Sequence, residues 1–153
     1  MTARLFGKLP AHGDFVARGC SAEERARLDA WLTASMDEAQ RRFGSGFAER
    51  FDIAQPWVGL GPGAAGIIAA SQDATGRRYP LILLGGAAGA LDDLVYSAIA
   101  DRWDADRVVA AMTEEATGAP GSVTRWTSLD GQDARDDAYP LDIVSAMLSS
   151  AAA

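Results

Sequence analysis

Gly66-Ile67-Ile68-Ala69-Ala70-Ser71, then Gln72-Asp73-Ala74-Thr75-Gly76-Arg77-Arg78, then Tyr79-Pro80-Leu81-Ile82-Leu83-Leu84 is the stretch from which the fold is read. Two apolar runs of strand length flank a polar segment holding one glycine, which is the pattern of a β-hairpin with a charged tip. The second arm carries Leu81-Ile82-Leu83-Leu84 with no polar alternation. A strand that is apolar on both sides belongs inside a sheet with helices available to cover both faces.

Upstream, Arg4 to Gly7 reads as a short first strand, followed by the turn-rich Gly7-Lys8-Leu9-Pro10-Ala11-His12-Gly13-Asp14 ahead of Phe15 and Val16. Ser21-Ala22-Glu23-Glu24 spells a capping box, in which hydroxyl and carboxylate satisfy the free amides of a helix start. From there Leu28, Trp31, Leu32, Met36, Ala39 and Phe43 recur at three- and four-residue steps, one apolar stripe along a long helix that Gly44 and Gly46 end. After a short Phe47 to Phe51 segment, Pro56 to Leu60 reads as a strand running into Gly61-Pro62-Gly63.

Downstream of the hairpin, Leu91, Leu94, Val95, Ala98 and Ile99 form a helical stripe, and Asp104 is placed to cap a further helix bearing Val108, Val109 and Met112. Residues 118–121 make a turn, Ser122 to Leu129 an edge or near-edge strand, and Gly131 to Asp137 an acidic loop. Pro140 can open a last helix with Leu141, Val144, Met147 and Leu148, and the closing alanines should fray. The expectation is one α/β domain over residues 1–153, a sandwich whose central, mostly antiparallel sheet of about five strands is flanked by helices on both faces.

Composition bounds the function. The 153 residues suit one core, and 48% apolar with 23% charged residues is ordinary for a globular chain. Fourteen Lys and Arg against twenty-one Asp and Glu give a formal charge of −7, which repels phosphate backbones and makes nucleic acid a poor partner. No run approaches the roughly 18 apolar residues of a membrane span, and no export signal is evident, so a cytoplasmic protein is expected. A single cysteine, Cys20, allows no intrachain disulfide and no cysteine-built metal site.

Several motifs suggest chemistry without completing it. Gly61-Pro62-Gly63-Ala64-Ala65-Gly66 matches the Gly-x-Gly-x-x-Gly dinucleotide fingerprint, but the fingerprint requires a helix at the loop and an acidic residue ending the next strand. Here the next run favours a strand and the counterpart ends in Leu84-Gly85-Gly86, so a Gly/Pro turn is the better reading. His12, the only histidine, could serve a small hydrolase or nucleotide-binding site with Asp14 as orienter and Cys20 as thiol, yet no nucleophile elbow accompanies it. Asp130, Asp133, Asp136 and Asp137 lack the ligand spacing of a calcium loop and read as a solvated turn. The four tryptophans all lie in apolar patterns and read as packing. No cofactor or metal is expected. At the hairpin tip, Arg77 is placed to make a bidentate pair with Asp14 or Asp73 and so fix the first loop on the hairpin.

Those two segments also carry a resemblance. Gly7-Lys8-Leu9-Pro10 followed by Gly13-Asp14-Phe15, and Asp73-x-x-Gly76-Arg77-x-Tyr79-Pro80-Leu81, resemble the signatures of the TagF (ImpM) family of accessory proteins of bacterial type VI secretion. The likeness continues through Leu28-Asp29-Ala30-Trp31-Leu32, Leu60-Gly61-Pro62-Gly63, and more weakly Arg125-Trp126 and the Pro140 segment. It departs at Ile67-Ile68-Ala69, where a bulkier Trp-containing run is usual, and it does not extend to the phosphatase domain fused to some relatives. The resemblance implies a cytoplasmic, post-translational regulator, usually a repressor, that acts on a forkhead-associated scaffold protein rather than by turnover. It supplies no catalytic residues, and its motif residues stand as candidates for binding or for shaping the loops.

Overall fold

In the computed structural model of the chain, residues 3–62, 64–85, 88–112 and 122–151 are described. Gly63, the turn read at 118–121 and the last two alanines lie outside them.

The chain runs β1 (Arg4–Gly7), β2 (Val16–Arg18), α1 (Ala22–Phe43), a 3-10 turn (Gly44–Gly46), α2 (Phe47–Asp52), β3 (Trp57–Gly61), β4 (Ala64–Gln72), β5 (Arg78–Leu84), α3 (Ala88–Ala100), α4 (Ala105–Ala111), β6 (Arg125–Ser128), β7 (Ala134–Arg135) and α5 (Ile143–Ala151). The strands form one sheet in the order β2-β1-β5-β4-β3-β6-β7. Every neighbouring pair is antiparallel.

The sheet thus has seven strands where sequence suggests about five. The two additional strands are its rims: β2 has three residues and β7 two, each too short to show an alternating pattern. β7 lies inside the stretch expected to be only an acidic loop, where Ala134 and Arg135 pair with Thr127 and Trp126. The apolar arm β5 sits in the interior, between β1 and β4.

Side-chain alternation sorts the core into two clusters. Phe6, Ile68 and Ile82 pack with Leu28 and Trp31 of α1, Phe51 of α2 and Val144 and Met147 of α5. Their chain neighbours Leu5, Ile67 and Leu81 pack with Leu91 and Val95 of α3 and Val108 of α4. Successive strand residues point to opposite sides, so the two clusters occupy opposite faces of the sheet. Each fully buried Leu or Ile among them contributes about 1.5–3 kcal/mol by leaving water.

The helix ends follow local chemistry. Ser21 Oγ accepts from the Glu24 amide at 3.1 Å while the Glu24 carboxylate accepts from the Ser21 amide at 2.9 Å, the reciprocal capping box. Asp104 caps α4 by accepting the Arg107 amide at 2.8 Å. α5 begins at Ile143 rather than directly at Pro140, after a turn in which the Ile143 amide reaches the Pro140 carbonyl.

Candidate functional site

The β1–β2 loop and the β4–β5 hairpin tip meet at one carboxylate. Asp73 is fully buried at the end of β4, and its Oδ2 receives Arg77 Nε at 2.8 Å and Lys8 Nζ at 3.1 Å. Its Oδ1 accepts from the Thr75 amide at 2.9 Å, the Thr75 hydroxyl at 2.7 Å and the Arg77 amide at 3.0 Å. Burial by itself would raise the pKa of this acid. The hydrogen bonds from Thr75, Arg77 and Lys8 outweigh burial and hold the carboxyl well below the usual carboxylate range.

Lys8 is nearly as enclosed as its partner, with a side chain 8% exposed. Its ammonium lies 4.8 Å from the centre of the Phe15 ring and 6.0 Å from that of Tyr79, within range of cation–π attraction. The two rings meet edge to face at 4.8 Å, and Phe6 completes the group. Tyr79 OH shares a hydrogen bond with Thr33 Oγ1 on α1 at 3.2 Å. Burial raises the tyrosine pKa and the Asp29 carboxylate adds to the shift, so the phenol stays neutral.

Backbone contacts lock the two segments together. The Lys8 amide donates to the Pro80 carbonyl, Ser71 Oγ donates to the Lys8 carbonyl at 2.8 Å, and the Ala74 amide donates to the His12 carbonyl at 2.7 Å. Gly7, at φ +128°, lies so close to Pro80 that a Cβ there would fall 2.1 Å from the Pro80 carbonyl oxygen, which excludes every other residue. Leu9 is fully buried beneath the loop with Val16 and Leu81. The α3–α4 corner holds the far side: Arg102 donates to the Pro10 carbonyl at 2.7 Å, and the Ala105 amide donates to His12 Nε2 at 3.0 Å.

This geometry corrects the sequence reading in two respects. Arg77 does not make a bidentate pair with either acid: its Nε reaches Asp73, while its NH2 donates to the Gly13 carbonyl at 2.8 Å. Asp14 is exposed and accepts the Phe15 amide at 2.8 Å, so it shapes its own turn. The partner missed from sequence was Lys8, whose motif position was evident but whose route to Asp73 depends on the β1–β5 pairing.

The catalytic and metal-binding candidates read from sequence are engaged elsewhere in the structure. His12 Nε2 is an acceptor for a backbone amide, which leaves Nδ1 as the donor and no free basic nitrogen. Burial pushes the Cys20 thiol up, with Glu24 adding to it, so the nucleophilic thiolate is disfavoured. Gly61 to Gly66 spans the junction of two antiparallel strands, β3 and β4, with no helix following. In the acidic loop, Asp130 accepts from Ser128 and Gln132, Asp133 pairs with Arg135, Asp136 with Arg125, and Asp137 accepts the Tyr139 amide. Among the described residues no three His, Cys, Asp or Glu converge as a metal site would require, and no helix is long and apolar enough to cross a membrane.

What reaches solvent is the crown of the first loop and the hairpin tip. Phe15 is 38% exposed above Lys8, and the Arg77 side chain is 63% exposed. Asp14, Thr75 and Gly76 are exposed beside them. The arrangement is a rigid, mixed aromatic and charged surface on a buried ion pair.

The family model of the TagF N-terminal domain, described as type VI secretion system-associated, matches residues 4–129. Among solved structures, the chain is similar to the crystal structure of PA0076 from Pseudomonas aeruginosa PAO1, with a TM-score of 0.62 at 20% identity over 98% of this chain and 78% of that one. That likeness is one of fold. No curated protein matches the chain.

Proposed function

Since the chain belongs to the family of type VI secretion system-associated TagF N-terminal domains, we propose that it is a cytoplasmic, non-enzymatic regulator, a repressor of secretion-machine assembly or firing that binds a forkhead-associated scaffold protein. The observation that carries the reading is the loop–hairpin constellation. Its ionisable side chains are consumed in holding two segments rigid, and its solvent side presents Phe15 among Asp14, Thr75 and Arg77. A pre-ordered aromatic anchor ringed by polar groups is the composition of a binding hot spot, and rigidity reduces the ordering cost of association. A catalytic site would instead keep a base or nucleophile free.

Deletion of the gene in a strain with a functional machine tests the reading. Secretion above the wild-type level, returned to normal by the wild-type gene and not by a Phe15→Asp variant, is the expected result. Unchanged secretion in the deletion strain contradicts it.

A further inference from the structure

The sheet has a second feature beside this crown. β3 pairs with β4 only as far as Trp57 opposite Ile68, whereas β4 continues through Ala69, Ala70, Ser71 and Gln72 with β5 on its other side. The chain before Trp57 leaves the sheet at Pro56.

The hydrogen-bond alternation identifies the backbone groups along that uncovered length. Lys8 donates to the Pro80 carbonyl, Gly85 to the Ala65 carbonyl and Asp73 to the Arg77 carbonyl. Pro80 and Ile82 therefore face β1, and the odd-numbered residues of β4 face β5. Ala70 and Gln72 direct their N–H and C=O groups to the side that β3 has left. Among the described residues no loop or turn backbone group bonds to either from that side.

A groove lies over this edge. A cleft of about 290 Å³ is bordered by Phe51 and Asp52, Ala70 and Gln72, and Ile99. It adjoins a largely apolar pocket of about 200 Å³ between Ala54 and Pro56 on one side and Val95, Tyr96 and Ile99 on the other. Phe51 and Asp52 end α2, and Ile99 and Ala100 end α3. Two helix C-termini, each carrying partial negative charge, thus flank the groove, and the Asp52 carboxylate at its rim is held by Arg78 through two bonds of 2.7 Å.

We propose that this groove is a β-augmentation site for an extended segment of a partner protein, with an apolar side chain seated between Val95, Tyr96 and Ile99 and Lys or Arg on either side of it. Free donors and acceptors at alternate residues select an extended backbone over a helix. The helix C-termini and the net charge of −7 select cationic flanks. The inference rests on the strand ladder and the groove, not on the scaffold reading above.

Amide-resolved NMR of the whole chain with the peptide acetyl-KVTVK-amide is the test. In the free protein the Ala70 and Gln72 amides exchange rapidly while that of Ile67 is protected. Saturating peptide slows both by at least about tenfold, the signature of new ladder bonds. Ala70→Pro removes the edge-facing N–H and none of the β5 bonds, and it weakens binding roughly fivefold or more, the equivalent of one hydrogen bond. Ile99→Lys, at the wall and outside the strand, weakens binding without touching the ladder, as does exchange of both peptide lysines for glutamate. Ala70 and Gln72 amides already protected in the free monomer, protection that grows with protein concentration alone, or peptide shifts that map elsewhere overturn the proposal.

Discussion

The Lys8 ammonium and the Asp73 carboxylate meet at 3.1 Å with neither side chain more than 8% exposed. One belongs to the loop after the first strand and the other to the hairpin tip, so the pair is the tertiary fastener of the site. Breaking such a pair from one side leaves a charge buried without its partner, which costs far more than removing both. Lys8→Met and Asp73→Asn should each lower the melting temperature by roughly 5–10 °C, and the double variant by less than the sum. Additive losses in a thermal-melt cycle would show that the two side chains are independent.

The same acid sets a pH dependence. Its folded pKa lies below the unfolded value, so its contribution to stability is fully present above about pH 5 and is lost as pH falls from there toward the folded pKa. Melts of the wild type and Asp73→Asn between pH 7 and pH 3 should converge on the acid side. A gap that widens with acid has the wrong sign for this account.

Gly7 and Gly76 separate space from conformation. Both have positive φ, but a Cβ at Gly7 collides with the Pro80 carbonyl and one at Gly76 meets nothing within 4 Å. Gly76→Ala should cost about 1–2 kcal/mol of left-handed strain. Gly7→Ala should cost distinctly more, because β1 and β5 must separate to admit the methyl group. Denaturant titration of the two variants checks the order.

His12 is assigned here to structure. His12→Phe removes the acceptor for the Ala105 amide and should destabilise the chain by about 1–3 kcal/mol, the cost of one unmade bond near the start of α4. Scaffold binding by the folded fraction should be unchanged. A hydrolytic activity of the wild type that this variant abolishes would return His12 to the role of a base.

How far the sequence could be read depends on the range of each interaction. The capping box at Ser21 and Glu24, the α1 stripe and the β4–β5 hairpin are set by neighbours within a few residues, and each is legible. β2 and β7 are not, since a two- or three-residue strand is defined by its partner rather than by its own pattern. The site divides the same way. The bond from Arg77 to Asp73 is local and was legible, whereas the bonds from Lys8 to Asp73 and from Arg77 to the Gly13 carbonyl exist only because β1 is placed beside β5. His12 illustrates the limit most plainly: its residue type suggests catalysis, and only the position of α4 reveals its nitrogen as a capping acceptor.

Calorimetric titration of the purified chain against the cytoplasmic forkhead-associated scaffold of the same secretion system tests the central claim most directly. The account predicts saturable association that is weakened about tenfold or more by Phe15→Ala, the exposed anchor above Lys8, in a variant that keeps the wild-type amide spectrum. No heat and no co-elution with the intact scaffold at micromolar concentrations would contradict it.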